Sequence, residues 1–388
     1  MKLALTVAEF NPLHNGHKYL LDVMRRGSDA VVVIMSGNFC QRGEAAVLDK
    51  YTRAAHAVKA GADIVFELPT VFSVAPAEIF AKGALKLLSS LSGEKTLFFG
   101  TERGEKPDFE LLAESTVNES KEFKAALKRE LSEGHPYVLA RVNALKETTL
   151  GADFDILDNP NSVLGLEYCR AIKAFGAQMD ISPVLRTTPH DGLSLEGETC
   201  SALAVRRAVA DKATKKIKKF VPPFVYEQLP ESLPRFDEVA LYGVLRSTAA
   251  ELKDVEDCTE GLENRIKALS GGVNTFAELI DKLETRRYTR ARLQRIVTSN
   301  ALGIKRSLVE KCLKSDLYLK VLAVAEDKKE LLSELSGGKN KLLTRKADAD
   351  KLGGAALACF EKDSFACDVY SLISGSVHSN YEMKRITR

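Results

Sequence analysis

Cysteine is sparse and unpaired in this 388-residue chain. The seven cysteines are scattered, and no two of them form a Cys-x-x-Cys pair. This spacing argues against a zinc site and against a disulfide framework, and it favours a reducing compartment. We therefore expect a cytoplasmic protein.

Long apolar runs are also missing. No stretch reaches the roughly 20 apolar residues of a membrane-spanning helix, so no membrane partner is expected. The apolar residues 3–8 are followed at once by the polar residues 9–18, which is not the pattern of a secretory signal. With 45% hydrophobic and 28% charged residues, the composition is typical of a globular protein long enough for two or three folding units.

The small net charge of +3 hides two basic stretches. Residues 205–219 hold seven Lys and Arg against one acidic residue, and residues 282–306 hold eight against one. Such concentrations on a nearly neutral chain favour a polyanionic partner, with RNA as the leading candidate. Two solvated helix faces would explain the same charge pattern equally well.

Strand and helix patterns alternate in the first hundred residues. Short apolar or β-branched runs predict buried parallel strands at 3–7, 30–35, 63–68 and 96–99. Helical patterns lie between them at 17–26, 48–60 and 76–88. The alternation predicts an α/β fold with a doubly wound parallel sheet, in which ligands bind where strand carboxyl ends meet helix N-termini.

A change of character near residue 220 predicts a domain boundary. Residues 1–220 are expected to form the α/β domain, with a charged helical insertion at about 105–150. Pro222-Pro223 then breaks the chain, and helix-forming, charge-rich segments follow. We therefore expect an α-helical C-terminal domain over residues 221–388, and its basic stretch makes it the expected RNA-binding unit.

The strongest motif is His14-Asn15-Gly16-His17, which follows the first predicted strand and an Asn-Pro turn. Gly16 lets the backbone approach a ligand closely, and the amides of a helix N-terminus attract phosphate. Two imidazoles at this point can stabilise charge at the α-phosphate of a nucleotide. A structural role or a metal site is the alternative for a lone pair of histidines with this spacing.

This arrangement resembles the HxGH nucleotidyltransferases, and further segments resemble the bacterial tRNA(Met) cytidine acetate ligase family more specifically. The matching segments are 36–44 (Ser-Gly-Asn-Phe-Cys-Gln-Arg-Gly-Glu), Lys50, Arg53-Ala54, Gly61-Ala62-Asp63, Glu67-Leu68-Pro69, 99–102 (Phe-Gly-Thr-Glu), 160–165 (Pro-Asn-Ser-Val-Leu-Gly) and 288–295 (Tyr-Thr-Arg-Ala-Arg-Leu-Gln-Arg). The resemblance spans most of the chain, and its N-terminal part is the more specific.

The resemblance implies a ligase that works in two stages. Acetate would attack the α-phosphate of ATP, giving acetyl-adenylate and pyrophosphate. The acetyl group would then pass to N4 of the wobble cytidine (C34) of elongator tRNA(Met), giving N4-acetylcytidine. ATP is thus expected as a substrate, accompanied by Mg²⁺ because the triphosphate is strongly charged. No tightly bound cofactor is expected, and no protein ligand for a metal is identified in the chain.

The resemblance also implies which residues act. His14 and His17 would be catalytic. The nucleotide would be bound by Val7, Ala8, Glu9, Phe10, Asn11, Pro12, Leu13, His14, Asn15, Gly16, His17, Lys18, Tyr19, Leu20, Gly100, Asn161, Arg186, Ser201 and Arg206. Local grounds alone would also allow a turn glycine at 100, a helix cap at 161 and a surface arginine at 186.

Several polar residues outside the histidine motif have possible binding or structural roles. Arg42 could bind phosphate or acetate, Lys50 or Arg53 could face RNA, and Glu67 would stabilise its strand. Candidate tRNA contacts are Arg207, Lys215, Lys216, Lys218, Lys219, Arg286, Arg287, Arg290, Arg292 and Arg295. The phosphate-binding motif expected around Ser201 and Arg206 departs from the superfamily at Leu203, where a hydroxyl residue is usual.

Two alternative functions stay open at this stage. One is a small-molecule adenylyltransferase or cytidylyltransferase, against which the long basic extension counts. The other is a non-catalytic RNA-binding relative, for which Leu203 is the only support. A class I tRNA synthetase is disfavoured because no KMSKS-like lysine loop is evident.

Overall fold

The computed structural model describes residues 1–135, 137–186, 200–335 and 340–387, without the side chains of residues 137–139. The strands are β1 (Lys2–Ala8), β2 (Ala30–Ser36), β3 (Phe39–Cys40), β4 (Glu44–Ala45), β5 (Ile64–Leu68), β6 (Glu94–Thr101), β7 (Asp180–Leu185), β8 (Tyr318–Ala325), β9 (Lys341–Leu343) and β10 (Lys384–Ile386). The helices are α1 (Asn15–Arg25), α2 (Lys50–Lys59), α3 (Thr70–Ser73), α4 (Ala77–Ser89), α5 (Lys106–Val117), α6 (Lys121–Ser132), α7 (Tyr137–Thr148), α8 (Pro160–Phe175), α9 (Ala202–Ala210), α10 (Pro223–Tyr226), α11 (Asp237–Arg246), α12 (Ala249–Lys253), α13 (Leu262–Leu269), α14 (Phe276–Leu283), α15 (Arg290–Ala301), α16 (Arg306–Lys314), α17 (Leu331–Leu335), α18 (Lys346–Ala349) and α19 (Gly354–Ser374). Short 3₁₀ helices cover Phe154–Asp158, Thr214–Phe220 and Glu326–Lys328.

One central sheet organises the described chain. Its strand order is β10-β8-β5-β2-β1-β6-β7, and β9 also pairs with β8. Neighbouring strands are parallel except for β5 and β8, which are antiparallel. The predicted doubly wound parallel sheet is confirmed.

Burial on both faces explains why the strands are continuous apolar runs. All seven residues of β2 are buried. Val32 and Ile34 belong to one apolar core, whereas Val31 and Val33 belong to the core on the other face. Successive side chains of a strand point to opposite faces of the sheet, so a parallel sheet covered by helices on both faces needs apolar side chains at every position.

The predicted insertion at 105–150 corresponds to three helices. Helices α5, α6 and α7 fall within it, and a small separate core of Phe123, Ala126, Ala144 and Leu145 joins α6 to α7. This arrangement keeps the insertion at the β7 side of the sheet, because α5 contacts α8 and β7.

The second half of the chain was expected to be α-helical, but it also contributes the strands β8, β9 and β10 to the central sheet. Residues 221–314 are helical where they are regular, but β8 enters the central sheet, and all eight of its residues are buried. One apolar core includes Phe72 from the first half together with Phe236 and Tyr370 from the second. The halves on either side of residue 220 therefore share a core.

A buried charge cluster of Lys50, Glu67, Lys320 and Asn380 joins distant parts of the chain. Lys50 Nζ donates to Glu67 Oε1 at 2.6 Å, and Lys320 Nζ donates to Glu67 Oε2 at 2.8 Å. Both lysines also donate to Asn380 Oδ1. The expectation that Lys50 could face RNA is wrong, since only 1% of its side chain is exposed.

Candidate active site

The site begins where β1 and β6 separate. Their paired register ends at Leu5 and Leu97, whereas β1 stays paired with β2 as far as Ala8. Strand β2, which follows β1, pairs with β1 on the side away from β6, and β7, which follows β6, pairs with β6 on the side away from β1. The gap between β1 and β6 is therefore the switch point at which doubly wound sheets bind ligands. A cavity of about 900 Å³ opens here.

The two histidines stack at the start of α1. Their ring centroids are 3.7 Å apart, with an angle of 25° between the planes. The Gly16 N–H donates to His14 Nδ1 at 3.1 Å, and the His14 N–H donates to His17 Nδ1 at 3.3 Å. Because each Nδ1 is an acceptor, the hydrogen of a neutral imidazole lies on Nε2 in both rings. The pair therefore presents two N–H donors at a helix N-terminus.

The turn before α1 fixes these rings. Phe10 has a positive φ of 45° and packs edge-on against His17, with centroids 5.0 Å apart. Asn11 Oδ1 accepts the Val47 N–H at 2.8 Å, which ties the turn to the loop after β2. The strained backbone at Phe10 is thus held by contacts on both sides.

The opposite wall comes from β6, β7 and the start of α8. Gly100, at the end of β6, lies beside Arg186: a Cβ at position 100 would stand 3.4 Å from Arg186 Cγ. Asn161 Nδ2 donates to Glu102 Oε1 at 2.5 Å, and the same carboxylate accepts the Ser162 N–H at 3.0 Å. Burial lowers the pKa of Arg186, and the nearby Glu102 opposes this shift. The structure thus brings together the three predicted residues Gly100, Asn161 and Arg186 around a capped helix N-terminus.

Helix α9 lines another part of the cavity and contacts the turn that follows β1. Arg206 Nη1 donates to the Asn11 carbonyl at 2.9 Å, and its Nη2 lies 2.9 Å from Glu44 Oε1. Ser201 is buried and caps α9 by accepting the Ala204 N–H at 3.1 Å. Leu203 lines the cavity, so an apolar side chain occupies the place where the superfamily pattern has a hydroxyl.

The loop after β2 supplies the remaining wall. Arg53, which is fully buried, donates to the carbonyls of Leu48, Glu9, Ser36 and Gly37. It holds the loop instead of facing RNA, so that expectation is wrong. Gln41 and Arg42 then reach the cavity.

The structure places most of the predicted nucleotide residues on one surface. Those lining the cavity are Val7, Ala8, Glu9, Phe10, Asn11, His14, Asn15, Gly16, His17, Tyr19, Leu20, Gly100, Asn161, Arg186 and Arg206. Pro12, Leu13, Lys18 and Ser201 are not among the lining residues. Leu13 is buried in a core, and Lys18 pairs with Asp22 at 2.7 Å on the surface.

Several lining residues escaped the sequence interpretation. Thr6, Phe80, Phe99 and Tyr168 contribute to the wall. Thr6 and Phe99 lie where β1 and β6 separate, so their position near the ends of predicted strands could have indicated them. Phe80 and Tyr168 sit inside helices, where they look like ordinary core residues.

The two basic stretches have different surroundings. Lys215, Lys216, Lys218 and Lys219 are exposed on the 3₁₀ helix Thr214–Phe220. Asn15 Nδ2 donates to the Lys219 carbonyl at 2.9 Å, which places this segment beside the histidine motif. We call these four side chains the lysine ridge.

The arginines near α15 mostly have internal partners. Arg287 pairs with Glu260 at 2.9 Å and Arg290 with Glu284 at 3.2 Å. Asp257 carboxylate oxygens lie 3.3 Å from Arg292 Nε and 3.6 Å from Arg295 Nη2. Arg207 pairs with Asp211 at 3.0 Å, and Arg286 is exposed. Tyr288 is buried, and its hydroxyl donates to the Glu260 carbonyl at 3.3 Å, so it is not presented for stacking on a base.

One group of three possible metal ligands occurs in the described ranges: Glu130, Glu133 and His135 at the end of α6, which do not line the cavity. No helix in the same ranges is both long and apolar enough to cross a bilayer.

The chain is similar to a known class of enzymes over almost its whole length. A family model described as HIGH Nucleotidyl Transferase matches residues 1–385. Together with the stacked histidines at the switch point of the sheet, this match makes the protein a nucleotidyltransferase of the HIGH type.

Individual relatives narrow the class. The chain is 35% identical over 379 residues to the tRNA(Met) cytidine acetate ligase of Caldanaerobacter subterraneus subsp. tengcongensis, covering 94% of each protein. It is 31% identical over 403 residues to the Clostridium perfringens ligase of the same name, covering 98% and 97%. The crystal structure of Thermotoga maritima TmcAL bound with alpha-thio ATP matches with a TM-score of 0.90 and 25% identity over the full length of both chains. The chain belongs to the tRNA(Met) cytidine acetate ligase family.

Proposed function

We propose that this protein is an ATP-dependent tRNA(Met) cytidine acetate ligase. Acetate attacks the α-phosphate of ATP, pyrophosphate leaves, and the acetyl group of the resulting acetyl-adenylate passes to N4 of the wobble cytidine of elongator tRNA(Met). The stacked pair of His14 and His17 carries the proposal, because it places two N–H donors and a helix N-terminus in the cavity.

In this reaction, each wall of the cavity would bind a different part of the nucleotide. The β6–β7 wall with Gly100, Asn161 and Arg186 holds the nucleoside, and the histidines contact the α-phosphate. Negative charge that develops on the phosphoryl oxygens is stabilised by the imidazole N–H groups and by the dipole of α1. The lysine ridge, which lies beside the histidine motif, contacts tRNA phosphates.

Mg²⁺ enters with the nucleotide in this proposal. Among the described lining residues the carboxylates are Glu9 and Asp158, and Glu9 already accepts a backbone N–H. These residues do not form a ready set of carboxylate ligands, so the triphosphate itself would hold most of the ion, as is usual for Mg²⁺ with nucleotides. A tRNA-modifying enzyme of this kind works in the cytoplasm.

The test uses the full chain with labelled acetate, ATP and bulk tRNA. Wild type is expected to label tRNA and to catalyse acetate-dependent exchange of pyrophosphate into ATP. His14→Ala and His17→Ala are each expected to lower both rates by roughly 10²–10³-fold, the usual loss for a donor to a developing oxyanion. His135→Ala, a histidine outside the cavity, is the matched control and should retain both rates.

Different results would point to the alternative functions. Adenylylation or cytidylylation of a phosphorylated small molecule, without acetate-dependent exchange, would replace the proposal with a small-molecule nucleotidyltransferase. Salt-sensitive tRNA binding without any ATP turnover would leave only an RNA-binding protein.

A further inference from the structure

Glu9 is a carboxylate in the cavity that acetate activation does not use. Acetate is already ionised at neutral pH, so its attack on the α-phosphate needs no base. The second stage differs, because the N4 amine of cytidine must lose a proton as it becomes an amide. If the proposed function holds, the site needs a proton acceptor for this stage.

One carboxylate oxygen of Glu9 and its backbone carbonyl are held by neighbouring residues. Its Oε1 accepts the Gln41 N–H at 2.6 Å, and its backbone carbonyl accepts from Arg53 Nη1 at 2.6 Å. Over the described ranges, the second carboxylate oxygen has no hydrogen-bonding partner, and Glu9 lines the cavity. That oxygen can therefore accept a hydrogen from a bound molecule.

The position of Glu9 sets it apart from the nucleoside wall. Strand β1 lies between β2 and β6 in the sheet. Glu9 is bound to the loop after β2, whereas Gly100 and Arg186 stand at the ends of β6 and β7 on the other side. A nucleotide held along β6 and β7, with its α-phosphate at the histidines, would direct its acyl group toward Glu9.

We propose that Glu9 is the general base of acetyl transfer, accepting the proton of the cytidine N4 amine. The N4 lone pair forms the C–N bond to the acetyl carbon. The bond between that carbon and the phosphate oxygen breaks, and AMP leaves with the electron pair. The N4 proton moves to the Glu9 carboxylate and then to water.

The charged neighbours of Glu9 come from several elements. Burial raises the pKa of Glu9 and Glu44 adds to the rise, whereas the Gln41 N–H, Arg206 and Arg53 lower it. Cys40 and Tyr168 are neutral neighbours, because burial raises the pKa of each well above its ordinary value. A carboxylate with a raised pKa is a stronger base near neutral pH.

Measuring the two stages separately tests the proposal. Glu9→Gln keeps an oxygen that can accept the Gln41 N–H but removes the basic carboxylate. We expect single-turnover acetyl transfer to tRNA to fall by roughly 10²–10⁴-fold, and acetate-dependent pyrophosphate exchange to fall by a much smaller factor. The acidic limb of the transfer pH profile should disappear. Glu94→Gln is the matched control, since Glu94 is an exposed carboxylate at the amino end of β6, whereas Glu9 follows the carboxyl end of the parallel neighbour β1.

Each other result contradicts the inference. If exchange and transfer fall together, Glu9 organises the site or binds a metal and is not the base. If transfer stays within tenfold of wild type, another group accepts the proton. If wild type shows no acetate-dependent exchange, the proposed function itself fails first.

A second variant keeps the test decisive if Glu9→Gln does not fold. Glu9→Asp retains a carboxylate on a shorter side chain, so transfer should be slowed while its acidic limb persists at a shifted pH. An unshifted limb in Glu9→Asp would overturn the assignment.

Discussion

At the scale of single residues, the position between the two histidines requires glycine for steric reasons. A Cβ at position 16 would stand 3.0 Å from His14 Cε1 and 3.1 Å from Nδ1. The His14 ring lies this close because it accepts the Gly16 N–H and stacks on His17. Gly16 thus permits the ring position, in addition to any approach of a phosphate.

Gly16→Ala should therefore separate activity from stability. The added methyl displaces the His14 ring, so we expect pyrophosphate exchange to fall by at least about tenfold, equivalent to about 1.4 kcal/mol in the barrier. Alanine is favourable inside a helix, so the melting temperature should change little. Gly271→Ala, where a Cβ would meet nothing within 4 Å, should behave as wild type. Exchange at the wild-type rate in Gly16→Ala would show that the ring position is not critical.

At the scale of elements, α15 supports the cavity from behind the loop after β2. Gly43 has a φ of +76°, and a Cβ there would be 2.5 Å from Arg295 N and from Gln294 C. Thr298 Oγ1 also donates to the Gly43 carbonyl at 2.8 Å. The neighbouring Gln41 and Arg42 line the cavity, so the second half of the chain positions part of the site.

Gly43→Ala is expected to disrupt this packing. Backbone strain and the collision with α15 together should lower the free energy of unfolding by roughly 2–4 kcal/mol, and exchange activity should fall with it. Gly27→Ala is the matched control, because Gly27 also has a positive φ (+80°) but a Cβ there meets nothing within 4 Å. It should lose only the backbone contribution, about 1 kcal/mol. Equal losses in urea denaturation would exclude the proposed contact.

The lysine ridge and the α15 arginines should respond differently to mutation. Lys215→Ala combined with Lys218→Ala should weaken tRNA binding and lower the slope of log affinity against log salt by roughly one per lost phosphate contact. Arg292→Ala should instead lower stability, because it removes a partner of Asp257. Filter binding at several salt concentrations, with urea denaturation of each variant, checks both. An unchanged slope in the double lysine variant would remove the ridge from the tRNA surface.

At the scale of the whole molecule, local patterns predicted the first four long strands because each is a short apolar run. The expected runs at 3–7, 30–35, 63–68 and 96–99 overlap β1, β2, β5 and β6. Strand β8 was missed because Lys320 interrupts its apolar run, and that lysine is neutralised by Glu67, 253 residues earlier in the chain. Pairing over such distances leaves no local pattern, which is also why the burial of Lys50 was not predicted.

Part of the cavity lining was also predictable from the order of elements along the chain. The histidine motif follows a strand directly, so its place at the sheet edge follows from the chain order. Its opposite wall needed the family resemblance, since Gly100, Asn161 and Arg186 carry no distinctive local pattern. Tyr168 could be assigned to the wall only once the packing of α8 was known.

The buried charge cluster makes a prediction about the stability of the whole molecule. Glu67→Gln leaves two buried lysines without their shared carboxylate, so we expect it to lower the free energy of unfolding by roughly 3–5 kcal/mol. Lys320→Met leaves the Lys50–Glu67 pair intact in apolar surroundings and should cost less.

The pH dependence gives this prediction its sharpest test. Burial lowers the pKa of Lys320 to about 8, whereas an unfolded lysine titrates near pH ~10.4. Between these values the unfolded chain binds more protons than the folded chain at this residue, so stability should rise with pH across that window. Lys320→Met should remove that part of the rise in urea denaturation at pH 7.5, 8.5 and 9.5. Two results would contradict this account of Lys320. One is an equal change of the free energy of unfolding with pH in wild type and Lys320→Met. The other is a larger loss of stability in Lys320→Met than in Glu67→Gln.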